Sequence, residues 1–168
     1  MNVIVTYMSL TGNTRKVAGA IFEEIQEEKE IKEIGEIQTL EGYDLAFVGF
    51  PIHRFGPPES VKAFLGKHAK GKKLALFITH ALPPGMEMLE GILAKCKEPA
   101  TEANLLGSFD CQGELAEDVA QRLLKNPDPQ MQKFGAMRKI TMGHPDATEI
   151  ESAHVFAREI MEKVRNIT

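Results

Sequence analysis

The sequence predicts an α/β domain built on a five-stranded parallel sheet with helices on both faces, and three observations carry that expectation. Short apolar, often β-branched runs alternate with amphipathic helical stretches through nearly all of the 168 residues, an order that calls for right-handed crossovers. Three of the runs, residues 2–7, 44–50 and 73–79, lack the polar alternation of a half-exposed strand and read as strands covered on both faces. Polar, glycine- or proline-containing loops follow the first, third and fourth strands, at the sheet edge where folds of this class bind ligands.

Each element has its own justification. Val3-Ile4-Val5-Thr6-Tyr7 is the first buried run and stops abruptly at Met8-Ser9. From Thr14 onward Val17, Ala18, Ile21, Phe22 and Ile25 share one helical side, while Arg15, Lys16, Glu23, Glu24 and Glu27 take the other. That helix is expected to end in the charged stretch 27–33. Ile31, Ile34, Ile37 and Leu40 recur every three positions and match neither period well, so a short edge strand is expected within 31–40. Residues 44–50 form the next buried strand, and Pro51 to Pro58 is too rich in proline and glycine to be regular.

Val61, Phe64 and Leu65 then mark a helix over 60–68, residues 73–79 a strand, and 80–85 a loop. Met88, Leu89, Ile92, Leu93 and Cys96 lie on one helical stripe, which makes Cys96 a packed core thiol. Residues 104–111 are the last strand, followed by a helix over 114–124 with Leu115, Val119 and Leu123 spaced by four. Residues 125–146 break the pattern with Pro127, Pro129, Gly135, Gly143 and Pro145. There Met131, Phe134, Met137 and Met142 lie among Lys125, Lys133, Arg138 and Lys139, and an amphipathic lid, a disordered stretch and a dimer-forming loop all fit. Asp146 and Glu149 match a capping box that opens the last helix, whose buried stripe is Ile150, Ala153, Ala157, Ile160, Met161 and Val164. Without a linker or internal repeat, residues 1–168 are read as one domain.

Composition narrows the function classes. With 43% hydrophobic and 26% charged residues the chain can bury a core without disulfides or a structural metal. A net charge of −4 argues against nucleic acid and anionic membranes as partners. Cys96 and Cys111 are the only cysteines and lack metal or redox spacing, so a reducing, cytoplasmic setting is expected. Neither a signal peptide nor an apolar run of spanning length is visible. His53 and Arg54 read equally as solvated loop residues, His144 as a local structural group, His68 and His154 as boundary residues, and Cys111 as a packing group.

Ser9-Leu10-Thr11-Gly12-Asn13-Thr14 is a hydroxyl-rich turn between a strand and a helix N-terminus, where backbone N–H groups and the helix dipole attract phosphate. It has neither the Gly-Lys-Ser/Thr ending of a triphosphate loop nor the Gly-x-Gly-x-x-Gly of dinucleotide sites. With no lysine or arginine inside the turn, it favours a mononucleotide over a triphosphate. Helix capping alone also accounts for such residues.

This hexapeptide resembles the Ser/Thr-x-Thr-Gly-x-Thr phosphate loop of the flavodoxin family, at the same place after the first strand. Tyr43-Asp44 leading into Val48-Gly49-Phe50-Pro51, then Gly56-Pro57-Pro58 before Val61-Lys62-Ala63-Phe64-Leu65, is similar to that family's third strand and flavin-flanking loop. The resemblance covers roughly the first 115 residues. It implies a three-layer sandwich with strand order 2-1-3-4-5 and FMN as cofactor. Ser9, Leu10, Thr11, Gly12, Asn13 and Thr14 would then hold the phosphate. Pro51, Ile52, His53, Arg54, Phe55 and Gly56, then Thr79, His80, Ala81, Leu82 and Gly85, and finally Asp110, Cys111 and Gln112 would line the ribityl chain and ring.

The family often stacks tryptophan and tyrosine on the flavin. Here there is no tryptophan, and Tyr7 and Tyr43 lie outside the flanking loops, leaving His53, Phe55 and His80 as planar candidates and one flavin face more open. Arg54 or protonated His53 near the ring implies a less reducing flavin than in acidic, aromatic-sandwiched relatives. The resemblance implies an electron carrier serving redox partner proteins. Alternatives are an NAD(P)H-dependent FMN or quinone reductase using small-molecule donors or acceptors, and a phosphorylated receiver, which lacks the acidic cluster it needs after the first strand.

Overall fold

Strand runs with apolar side chains on both faces need cover on both sides, and parallel pairing joined by helical crossovers supplies it. The computed structural model describes residues 1–167. Its single sheet has the order β2-β1-β3-β4-β5, all parallel, from β1 (Asn2–Tyr7), β2 (Glu28–Glu33), β3 (Leu45–Pro51), β4 (Lys73–His80) and β5 (Asn104–Gln112). The expected strand order is therefore present. Val3, Val5, Tyr7, Phe47 and Phe77 face one layer, formed by α1 (Asn13–Glu24) and α7 (Ala147–Ile167). Ile4, Val48, Leu74, Leu76 and Ile78 face the other, formed by α2 (Glu59–His68) and α3 (Glu87–Lys97). Cys96 is fully buried in that second layer, as its helical stripe requires.

Two expectations need correction. The edge strand lies at 28–33, inside the charged stretch, so only its last three residues fall within 31–40, where residues 34–36 form a short 3-10 turn. An edge strand pairs on one side only and tolerates charge on both faces, so Glu-Lys-Glu-Ile-Lys-Glu carries no burial signal. Lys29 of this strand donates to the Phe22 and Ile25 carbonyls at 2.8 and 2.7 Å, closing the C-terminus of α1, and its ammonium sits 4.4 Å from the Phe22 ring centroid. Secondly, the helix expected over 114–124 starts later, as α4 (Glu117–Leu124).

Residues 125–146 are the segment for which a lid, a disordered stretch and a dimer-forming loop all fit. They hold α5 (Pro129–Ala136) and α6 (Arg138–Thr141). Asp128 caps α5 by accepting from the Gln130 N–H at 2.9 Å, and Pro129 follows at the first helical position. Phe134 is 7% exposed, so this segment has an apolar anchor of its own. The capping box of α7 forms as expected: Asp146 Oδ1 accepts from the N–H groups of Thr148 and Glu149, and Glu149 Oε2 accepts from the Asp146 N–H at 2.6 Å.

Candidate functional site

Sheet register brings the expected loops to one edge. Pro51 pairs with Thr79, Thr79 with Cys111, and His80 with Gln112. Backbone bonds from Ile52 N to Thr79 O (2.8 Å) and from Gly113 N to His80 O (2.7 Å) carry the pairing past the apolar runs. Thr79, His80, Asp110, Cys111 and Gln112 are consequently strand-end residues, more rigidly held than loop residues.

The first loop ends on Gly12, whose φ of 95° suits glycine, and Gly12 is the N-cap of α1 without any side-chain capping bond. Lys16 makes the first intrahelical bond, to the Gly12 carbonyl at 3.1 Å, so the N–H groups of Asn13, Thr14 and Arg15 precede the helical ladder. The first turn of α1 carries no acid. Carboxylates cap α5 and α7, at Asp128 and Asp146, and α2, α3 and α4, which like α1 have no side-chain cap, carry acids in their first turns, whereas α1 has neither. Ser9 Oγ accepts from the Gly12 N–H at 3.1 Å and shapes the turn, while Leu10 and Thr11 are exposed. Thr14 is 1% exposed, its hydroxyl 2.8 Å from that of Thr79, which ties the first loop to the end of β4. Asn13 Nδ2 donates to the Glu114 carbonyl at 2.9 Å.

The second loop is a tight hairpin turn. His53 N–H donates to the Gly56 carbonyl at 2.8 Å, and Gly56 N–H returns to His53 at 3.2 Å. Arg54 and Phe55 between them have φ of 50° and 63°, left-handed conformations that cost about 1–2 kcal/mol each in non-glycine residues. Pro51 and Ile52 are half-buried, and His53, Arg54 and Phe55 are exposed. The Phe55 ring packs 5.8 Å from that of Phe134 on α5, centroid to centroid.

In the third loop His80 is unsuited to stacking. Its side chain is 2% exposed, with Nδ1–H donating to the Leu82 carbonyl at 3.0 Å and Nε2 lying 3.0 Å from Asp110 Oδ2. Gln112 Nε2 donates to the same Leu82 carbonyl at 3.4 Å. The ring therefore pins Ala81 and Leu82 to β5, while Gly85 is exposed in the turn ahead of α3. Burial, with Glu149, Asp110 and Asp146 nearby, pushes the Cys111 thiol up to about 12, which keeps it protonated and redox-quiet. Tyr43 lies before the amino end of β3, and Tyr7, the last residue of β1, is buried in the α1/α7 layer, so neither belongs to a flanking loop.

Glu114 is a site residue that sequence reasoning missed. Its carbonyl receives Asn13, its N–H donates to the His144 carbonyl, and its carboxylate accepts from Arg138 at 3.2 Å and from the Gly143 N–H at 3.3 Å. Thr141 Oγ1 accepts from the Leu115 N–H alongside. Only the long-range partners reveal these roles. His144, Asp146 and Glu149 bring ligand-type atoms within 4.8 Å of one another, but these carboxylates are engaged in capping α7, and His144 Nδ1 lies 2.8 Å from Glu149.

A flavodoxin domain model matches residues 4–158. The chain belongs to the flavodoxin family. It is similar to the flavodoxin-like domain-containing protein BilS of Clostridioides difficile, 36% identical over 179 aligned positions that cover 97% of this chain and 98% of that one. In fold it is similar to the flavodoxin of Streptococcus pneumonia TIGR4 (13% identity, TM-score 0.64, 97% of this chain and 99% of that one). Flavodoxin 2 of Bacillus cereus gives a comparable match (18% identity, TM-score 0.63, 97% and 99%). No helix among the described residues is long and apolar enough to cross a membrane.

Proposed function

We propose that this flavodoxin-family chain binds FMN at the carboxyl edge of its sheet and carries electrons between redox partner proteins in a reducing, cytoplasmic setting. The observation that carries the reading is the amino end of α1. A helix start left without a side-chain cap and without acids, inside a hydroxyl-rich turn, suits a phosphate monoester. Bound FMN would supply reversible one- and two-electron chemistry. Ser9, Thr11 and Thr14 would add hydroxyl donors to the backbone N–H groups, with no buried countercharge to desolvate. Asn13 and the Thr14–Thr79 pair hold that turn in register with β4 and β5. His53 to Gly56 and Ala81 to Leu82 would flank the ring, Phe55 offering the exposed aromatic face. Arg54 brings positive charge to that loop, which favours the anionic reduced flavin and raises its second one-electron potential.

Purified protein should show bound-flavin absorption that dithionite or a protein reductase bleaches. A reductase reading is favoured by one observation, that His80 is buried and engaged, which leaves one ring face without a stacking side chain from the third loop. Rapid anaerobic bleaching by NADH or NADPH would select the reductase, and a preparation unable to take up FMN would sink both.

A further inference from the structure

The second loop and the helical segment that packs on it through Phe134 both carry exposed apolar side chains. Phe55 is 40% exposed, and Ile140 on α6 and Met142 just beyond it are each 55% exposed. Contacts already described tie this segment to the first and second loops. Glu114 links Asn13 of the first loop to Arg138 and Gly143, and Phe55 of the second loop packs on Phe134. The segment thus spans from one cofactor loop to the other and extends the surface around the site.

Its charge opposes that of the chain. Residues 125–145 carry Lys125, Lys133, Arg138 and Lys139 against the single acid Asp128, in a chain of net charge −4. Arg138 is committed to Glu114. Lys133, Lys139 and Arg54 are exposed and form no ion pair among the described residues. Exposed apolar side chains with cations beside them in the chain match, in both respects, a partner surface that sets apolar side chains among carboxylates.

We propose that the patch formed by Phe55, Ile140 and Met142, flanked by Arg54, Lys133 and Lys139, docks an acidic redox protein. The proposal rests on the electron-carrier reading above and adds the chemical character of the partner. Opposite charge raises the encounter rate and loses effect with salt. Bound FMN in its reduced state would supply one electron, and the partner's oxidised centre would accept it.

Cytochrome b5, an acidic haem protein, and cytochrome c, a basic one, serve as probes. The FMN-loaded chain, reduced beforehand with dithionite, is mixed with each in a stopped-flow instrument at low and high ionic strength. The expected result is a rate to cytochrome b5 that falls with salt and drops about tenfold at low salt in the K133E/K139E variant, while the rate to cytochrome c rises. The flavin spectrum checks that the variant keeps its fold. A cytochrome b5 rate insensitive to both salt and K133E/K139E overturns the proposal, as does tighter binding to phosphatidylglycerol vesicles than to cytochrome b5.

A chain that takes up no flavin defeats the electron-carrier reading and leaves a flavin-free test of the surface. In an amide chemical-shift titration with cytochrome b5, shifts confined to residues 53–56 and 133–143 uphold the docking site. Shifts elsewhere, none, or loss of signal from self-association overturn it.

Discussion

An alanine at Gly113 would place its Cβ 2.6 Å from Asn13 Nδ2, 2.8 Å from Cγ and 3.0 Å from Cβ. No side chain tolerates that approach, so the Asn13 amide must swing away and give up its 2.9 Å bond to the Glu114 carbonyl. Overpacking of this kind costs about 1–3 kcal/mol, and a lost partly buried hydrogen bond adds about 1 kcal/mol. Asn13 is also the first residue of α1, so its displacement disturbs the N–H groups assigned to the phosphate. If about half the penalty falls on the loaded protein, FMN affinity drops roughly five- to thirtyfold. Flavin fluorescence, quenched in the complex and recovered on release, measures this directly, and thermal unfolding of the flavin-free protein measures the remainder. Asn13→Ala removes the two closest atoms, so Gly113→Ala should cost far less in that background. Equal penalties in the two backgrounds, or an unchanged FMN affinity, would refute the reasoning.

Arg15→Glu places an acid in the first turn of α1 and should stabilise the flavin-free protein by about 0.3–1 kcal/mol, while weakening FMN and inorganic phosphate several-fold. Stability and affinity moving together would count against an anion site. Phe134→Ala empties the anchor between α5 and the second loop at about 3 kcal/mol in urea denaturation. Limited proteolysis should then cut within 125–146 before the sheet, and a digestion pattern like the parent's contradicts that. Burial pushes Cys96 up to about 11 and Cys111 up to about 12, from an ordinary 9.0. Iodoacetamide at pH 8 should therefore label neither thiol until urea is added. The unfolded chain loses these protons first, so their contribution to stability is full below pH 9 and fades as pH climbs through 11 and 12. A rise in stability over that window would contradict the assignment.

The sheet and its two layers were legible because β1, β3 and β4 are covered on both sides and write that cover as unbroken apolar runs. β2 left no such trace, since its only paired neighbour is β1 and its side chains face water. Strand ends were misjudged for a related reason. Apolar pattern stops where burial stops, whereas the bonds of Ile52 and Gly113 continue the ladder into Pro51, His80 and Gln112. Of the candidate site, the turn at 9–14 leading into α1 was readable because turns and helix starts use local residues. His80 was not, because its partner Asp110 is 30 positions away. In 125–146 the helix signs were present, in Asp128-Pro129 and in the three-residue spacing of Met131, Phe134 and Met137, but five prolines and glycines outweighed them.

Glu114 makes the helical segment behave as a plug-in part. One carboxylate and two backbone groups form the socket into which residues 138–144 fit, and the back wall of that socket is the carbonyl that steadies Asn13. A segment of different surface character can be exchanged there as long as it brings donors for the same carboxylate, leaving the turn at 9–14 unaltered. The surface of the helical segment and the packing of the first loop are in this way adjustable separately, although they meet at a single residue.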